Sequence, residues 1–313
     1  MRAAFLLVVC GVLAGCGRPG AEWVRADGKT TSSLEALHGT GPQDIWAVGE
    51  LGTVIHWNGT AWSVMDTGTK VDLHAVWAVD RANAWAVGEQ GVVLRWNGAS
   101  WSRVDVGSDD KLTGVWASGP SDVWVVEDSL SSGGLLRFDG KTWTRRSVTG
   151  SSSTPVRVWG SGPNDVWVTL EYRDELMHWT GAGWTAERPD IGAHPWCEDL
   201  GAGGDGELLT LCKVVTEKRV VLKGPGGWKL LPMDEATLEA SYYWAGIWGA
   251  GSELWAVGEY GRVHHFDGKE WTEELGEDLD VPDLKDVWGS SGADVWAVGD
   301  EGLVIRRTPA ESD

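Results

Sequence analysis

The stretch LHAVWAVDRANAWAVGEQGVVLRWNGASWSRV, residues 73–104, decides the fold. Residues 73–79 alternate as a half-buried strand does, and Asp80-Arg81-Ala82-Asn83 supplies a turn. Residues 84–87 form a second strand, which Gly88-Glu89-Gln90-Gly91 turns into a third at 92–96. Asn97-Gly98 is a tight hairpin signal, and residues 101–104 are the fourth strand. Four short antiparallel strands joined by turns of a few residues make one propeller blade.

The same phrase returns along the chain. Its second strand centres on Trp46, Trp85, Trp124, Trp167, Trp255 and Trp296, with a decayed copy near Leu208, at successive spacings of 39, 39, 43, 41, 47 and 41 residues. A period of this size marks a propeller or solenoid. With strands lettered A to D outward from the hub, seven B strands predict an all-β, seven-bladed β-propeller of four-stranded antiparallel blades. The degenerate fifth copy leaves six or eight blades compatible with the pattern. The last copy lacks its outer strand, and Gly20-Ala21-Glu22-Trp23 matches the D-strand starts Gly59-Thr60-Ala61-Trp62 and Gly98-Ala99-Ser100-Trp101. The N-terminal strand is therefore expected to complete the final blade and close the ring, which removes exposed edges. This bounds the propeller at 22–308, with 309–313 as a tail.

A formal charge of −20 excludes nucleic acid as a partner, because phosphate binding needs clustered Lys and Arg. Met1-Arg2 followed by the apolar run 3–14 has the form of a secretory signal, and the run is too short to span a bilayer. Leu13-Ala14-Gly15-Cys16 resembles the lipobox of bacterial lipoproteins. That resemblance implies a signal peptide at 1–15, a lipid on Cys16, a short tether over 16–21 and a place at the bacterial cell envelope. Gly17, where Asp would signal inner-membrane retention, favours the outer membrane.

Four cysteines are present. Cys10 leaves with the signal and Cys16 carries lipid, so Cys197 and Cys212 remain, and an even pair in an exported chain reads as a disulfide. A turn at residues 203–206 with Gly203 opposite Gly206 sets residue 197 across from residue 212. In this fifth copy Leu200 and Leu208 are expected in the places of the two hub tryptophans.

Of the 23 tryptophans, 21 recur at four positions of the repeat: late in A, in B, at the end of C and at the start of D. A position refilled in blade after blade is packing. Trp196 and Trp244 fall outside the pattern. Asp44, Asp122, Asp165 and Asp294 precede the B-strand tryptophan; without a dense acidic loop they read as turn caps rather than calcium ligands. His56, His178 and His265 share a C-strand slot with Arg95, Arg137 and Arg306, which reads as a solvated basic position. No metal-ligand spacing and no nucleophile motif stands out. The expectation is a non-enzyme without metal or cofactor.

Phe138-Asp139-Gly140-Lys141-Thr142-Trp143 and Phe266-Asp267-Gly268-Lys269-Glu270-Trp271 resemble the Asp-box hairpin of sialidase-like propellers, one residue short between Asp and Gly. The Trp-Ala-Val-Gly phrase is similar to tectonin repeats of lectin-like propellers. These resemblances imply the architecture and, as the alternative to a protein-binding scaffold, a glycan-binding surface. No arginine triad of the sialidase kind can be placed, so glycosidase activity is not carried over.

The D–A and B–C loops share one face, and departures from the repeat concentrate there in blades four to six. Tyr172, Arg173, Asp174, His194, Trp196, Tyr242, Tyr243, Trp244 and Tyr260 form the expected recognition patch for an envelope protein or glycan. The tether enters strand D from the opposite face, which is expected to lie nearer the lipid.

Overall fold

A computed structural model describes residues 21–128, 134–148, 153–192, 194–215, 217–276 and 281–309. The expected signal peptide, Cys16 and residues 17–20 of the expected tether lie outside the described residues, as do residues 310–313. Seven four-stranded antiparallel sheets are arranged as blades. In the second blade strands A to D are Leu73–Asp80, Asn83–Gly88, Val93–Trp96 and Trp101–Val104. The other A strands are Leu34–Gly41, Lys111–Gly119, Pro155–Gly162, Trp196–Ala202, Trp244–Ala250 and Leu284–Ser291. The last blade takes its D strand, Ala21–Arg25, from the start of the chain, with Ala21 opposite Pro309 and Trp23 opposite Arg307. Its sheet order runs from that strand inward to Leu284–Ser291. Ring closure is thus as expected, and paired strands reach one residue beyond the expected bounds at each end.

The tryptophans pack one blade onto the next. Where the successor carries both, a B-strand ring wedges against its C and D rings: Trp46 against Trp96 and Trp101, Trp124 against Trp179 and Trp184, Trp296 against Trp57 and Trp62. The D-strand rings stand edge-on, with Trp46 and Trp101 at 90° and centroids 5.2 Å apart. Such edge contacts contribute about 0.5–1.5 kcal/mol each beyond the area they bury. Nearer the hub, each A-strand ring needs a small residue beside it. A Cβ on Gly39 would meet Trp288 at 2.7 Å, and one on Gly160 would meet Trp116 at 2.9 Å.

Blade five departs from its expected register. Leu209 and not Leu208 occupies the B-strand tryptophan slot, packed with Phe266 and Trp271 of blade six, and Gly201 lies opposite it. The 3-10 turn Gly204–Gly206 pairs Ala202 with Leu208, one step from the expected Gly203–Gly206 pairing. A bulge at Glu198 then restores the offset and sets Cys197 opposite Cys212, where the disulfide forms with its Cα atoms 3.8 Å apart. The bond was legible; the route to it needed a bulge that alternation does not show.

Candidate functional site

The C-strand slot is not a solvated position. His56 and His178 stack on Trp46 and Trp167 with centroids 3.9 Å apart, and Arg137 and Arg306 lie over Trp124 and Trp296. Each also meets the acidic residue that opens strand B: His56 to Asp44 at 2.7 Å, Arg137 to Asp122 at 2.9 Å, Arg306 to Asp294 at 2.8 Å. Those carboxylates therefore bridge strands rather than cap a turn. Burial pushes Asp44 upward, but hydrogen bonds from His56 and Thr40 outweigh it and hold the carboxyl below its ordinary range. Thr40, Asp44 and His56 look like a hydrolytic triad, yet the carboxylate sits between hydroxyl and imidazole, so the order is not that of a triad, in which the imidazole takes the hydroxyl proton. With arginine in the same slot of blades three and seven, the arrangement is scaffold. The Asp-box-like hairpins are scaffold too: Asp139 accepts the backbone N–H groups of Lys141 and Thr142, and Asp267 those of Lys269 and Glu270.

The expected patch residues gather in two groups. In the first, exposed Tyr172 lies 4.7 Å from half-buried Trp196, with the Lys213 ammonium 6.0 Å from the indole. Asp174 joins His194 at 2.6 Å and Arg188 at 3.1 Å, and the His194 hydrogen bond draws its carboxyl below the usual range. Arg173 donates to Ser153 at 2.7 Å. In the second, Tyr243 contacts Tyr242 at 5.1 Å and Tyr260 at 6.0 Å, with Arg262 over its ring, beside the short helix Glu235–Ser241. Trp244 corrects the expectation. It is 1% exposed, pairs with Gly258 as Leu34 pairs with Gly49, and packs 4.9 Å from Trp271. It fills a core leucine position and is not part of the surface.

Tyr172 and Tyr260 sit on B–C turns at positive φ (55° and 59°), as Leu51, Gln90, Val215 and Glu301 do in other blades. The turn is fastened below: Leu51 and Tyr260 donate their N–H groups to Asp72 and Asp283 of the following D–A loops. A left-handed residue with no steric need for a side chain here still carries a varied, outward one, so the six described B–C turns display different tips on a common frame.

The second site was missed by sequence reasoning. All seven A strands bulge near their start, and the residues just past the bulge line a central channel of about 190 Å³. Two residues before the A-strand tryptophan slot stands Ala36, Ala75, Gly114 and Gly246 in four blades but Arg157, Asp199 and Asp286 in blades four, five and seven. Asp286 accepts its neighbour Val287 N–H at 2.8 Å and, across the blade boundary, Leu37 N–H at 2.9 Å. Arg157 Nε stands 3.8 Å from Asp199. Burial raises the Asp199 carboxyl, and it raises Asp286 to about 7, with the Asp199 charge adding to the effect. Reading the column two residues before the A-strand tryptophan slot across the seven blades would have exposed the three.

The fold and the two sites define a propeller with a decorated loop face and a charged hub. No family model matches the chain, and no curated protein resembles it at a significant level. Solved propellers do. YCF48 bound to a D1 peptide superposes with a TM-score of 0.70 at 17% identity, over 97% of this chain and 100% of that one. Virginiamycin B lyase from Staphylococcus aureus with quinupristin gives 0.74 at 12%, over 92% and 99%. The Swd1 propeller domain from Myceliophteria thermophila gives 0.69 at 10%, over 90% and 97%. At these identities the likeness is one of fold.

Proposed function

We propose that this chain is a non-catalytic binding scaffold of the bacterial cell envelope, held by lipid at Cys16, which engages a protein partner through its B–C and D–A loop face. The observation that carries the reading is the Tyr172–Trp196 pair with Lys213 beside it, aromatic surface with polar edges on loops of a rigid frame. Likeness to a propeller solved with a peptide on it supports the reading. Strand Ala21–Arg25 starts where Ala21 meets Pro309, at the edge of the A–B and C–D turns. Five residues from Cys16 to Ala21 reach at most about 18 Å, so the opposite, decorated face points away from lipid.

A photo-crosslinking residue at Tyr172, used in intact envelopes and read by mass spectrometry, should capture one protein partner. Trp196→Ala should remove the capture, and a crosslinker at Gln90 should not give it. Equal capture from both positions would overturn the reading. A glycan partner would instead show as sugar-dependent tryptophan emission that Trp196→Ala abolishes.

A further inference from the structure

We infer that the central channel binds a small zwitterion of amino-acid size, with its carboxylate on Arg157 and its ammonium on Asp286. This site is independent of the loop-face reading. It begins from the repeat. A side chain needed for packing recurs from blade to blade, as the tryptophans do, whereas the channel position two residues before the A-strand tryptophan slot is Ala or Gly in four blades. The propeller closes at those blades without a charge there. Three charged residues at one level of one cavity are therefore additions to the scaffold.

Their chemistry and placement are specific. With seven strands around one axis, blade seven stands three steps from blade four, roughly 150° around the channel. Arg157 and Asp286 thus face each other across a cavity of about 190 Å³. An apolar cavity of about 150 Å³ accommodates benzene, so this one has room for a molecule with an amino acid's few heavy atoms. The Arg157 side chain is 45% exposed, and its contact with Asp199, at 3.8 Å, is longer than a hydrogen bond. Its one hydrogen bond described here, from Nη1 to the Val156 carbonyl, leaves other guanidinium donors for a carboxylate.

Asp286 offers the opposite end. Its two oxygens accept backbone N–H groups and meet no cation among the described residues, and a carboxylate has about four lone-pair sites. Lys285, the nearest ammonium in sequence, is taken by Asp300 at 3.0 Å and Asp283 at 3.7 Å. A guest bridging the channel satisfies both walls at once, which neither a simple amine nor a simple acid does.

The test is calorimetric titration of the full-length, detergent-solubilised protein with the free L-amino acids, then with the decarboxylated and deaminated counterparts of the best binder. The expected result is saturable binding of at least one amino acid, weakened at least about tenfold for either counterpart. Arg157→Gln and Asp286→Asn should each cost at least about tenfold. Ala75→Leu, which narrows the channel from blade two without touching either charge, should abolish binding while circular dichroism stays unchanged. Because Asp286 must be ionised to hold an ammonium, affinity should rise with pH through about 7; Glu35, His38, His74, Arg157, Asp199 and Lys285 face the same space. No binding by any amino acid at millimolar concentration, equal binding of a counterpart, or binding that survives Ala75→Leu would overturn the inference. Loss of the Tyr172 crosslink would leave it standing.

Discussion

Trp244 donates its indole N–H to Nδ1 of His264 at 3.2 Å, inside the core of blade six. The imidazole must therefore carry its proton on Nε2 and stay neutral. Burial, with Arg262 adding repulsion, depresses it to about 4. The unfolded chain binds this proton near 6.5, so the stability it contributes is present above that pH and is lost as pH falls through about 4. His38, stacked 3.8 Å from Trp77 and lowered to about 3 by burial, acts in the same direction. The unfolding temperature should fall from about pH 6.5 downward, and His264→Gln should flatten part of that slope. An unchanged slope in the variant would place the titration elsewhere.

Trp244→Ala should destabilise by about 4 kcal/mol, as loss of a buried indole does, while Tyr242→Ala on the exposed side of the same turn should change stability by less than about 0.5 kcal/mol. Urea unfolding of the two variants separates core from surface.

Asp286 works against the histidines. Its carboxyl is raised to about 7 by burial, so its contribution is full below about 4 and is lost as pH rises through 7. In Asp286→Asn the decline in unfolding temperature between about pH 5 and 8 should be reduced, measured by calorimetry in matched buffers.

The seam between blades six and seven rests on Glu274, which accepts from Trp23 Nε1 at 2.8 Å and from Arg307 at 2.8 Å and meets His265 at 3.3 Å. Burial pushes this carboxyl up, but the hydrogen bonds of His265 and Arg307 prevail and hold it at about 2. Glu274→Ala leaves Arg307 half-buried without its partner and should cost about 3 kcal/mol. Hydrogen exchange should show strand Ala21–Arg25 opening first in that variant.

Replacing Cys197 and Cys212 together by Ala should lower stability by about 3 kcal/mol, the chain-entropy value for a loop of 15 residues. Two alkylatable thiols in native protein would contradict the bond.

The ring was readable because tryptophan is too large to be placed seven times by accident, and its spacing survives loops of different length. Blade five shows where that reading slips. Without Trp to mark the strands, Leu208 and Leu209 are equivalent in the sequence, and only pairing with Leu222 and contact with Trp271 separate them. Arg157, Asp199 and Asp286 were hidden for a related reason: a bulge separates each from the core residue at the start of its strand, so alternation counted from that residue assigns them to the wrong side. The loop aromatics stood out by type, but type alone did not distinguish Trp196, on the surface, from Trp244, in the core.

The pairing of Ala21–Arg25 with Val304–Pro309 has a consequence in time. Residue 23 waits for residue 307, so every earlier blade is built while the ring is open and its first D strand has no partner. The closing step brings together ends almost a whole chain apart, the slowest kind of contact to form. Until strand Val304–Pro309 is in place, blade six offers Trp255 and Glu274 to an empty seam. Any factor that holds the unfinished ring would find its handle there, and loss of strand Val304–Pro309 would leave that handle permanently on display.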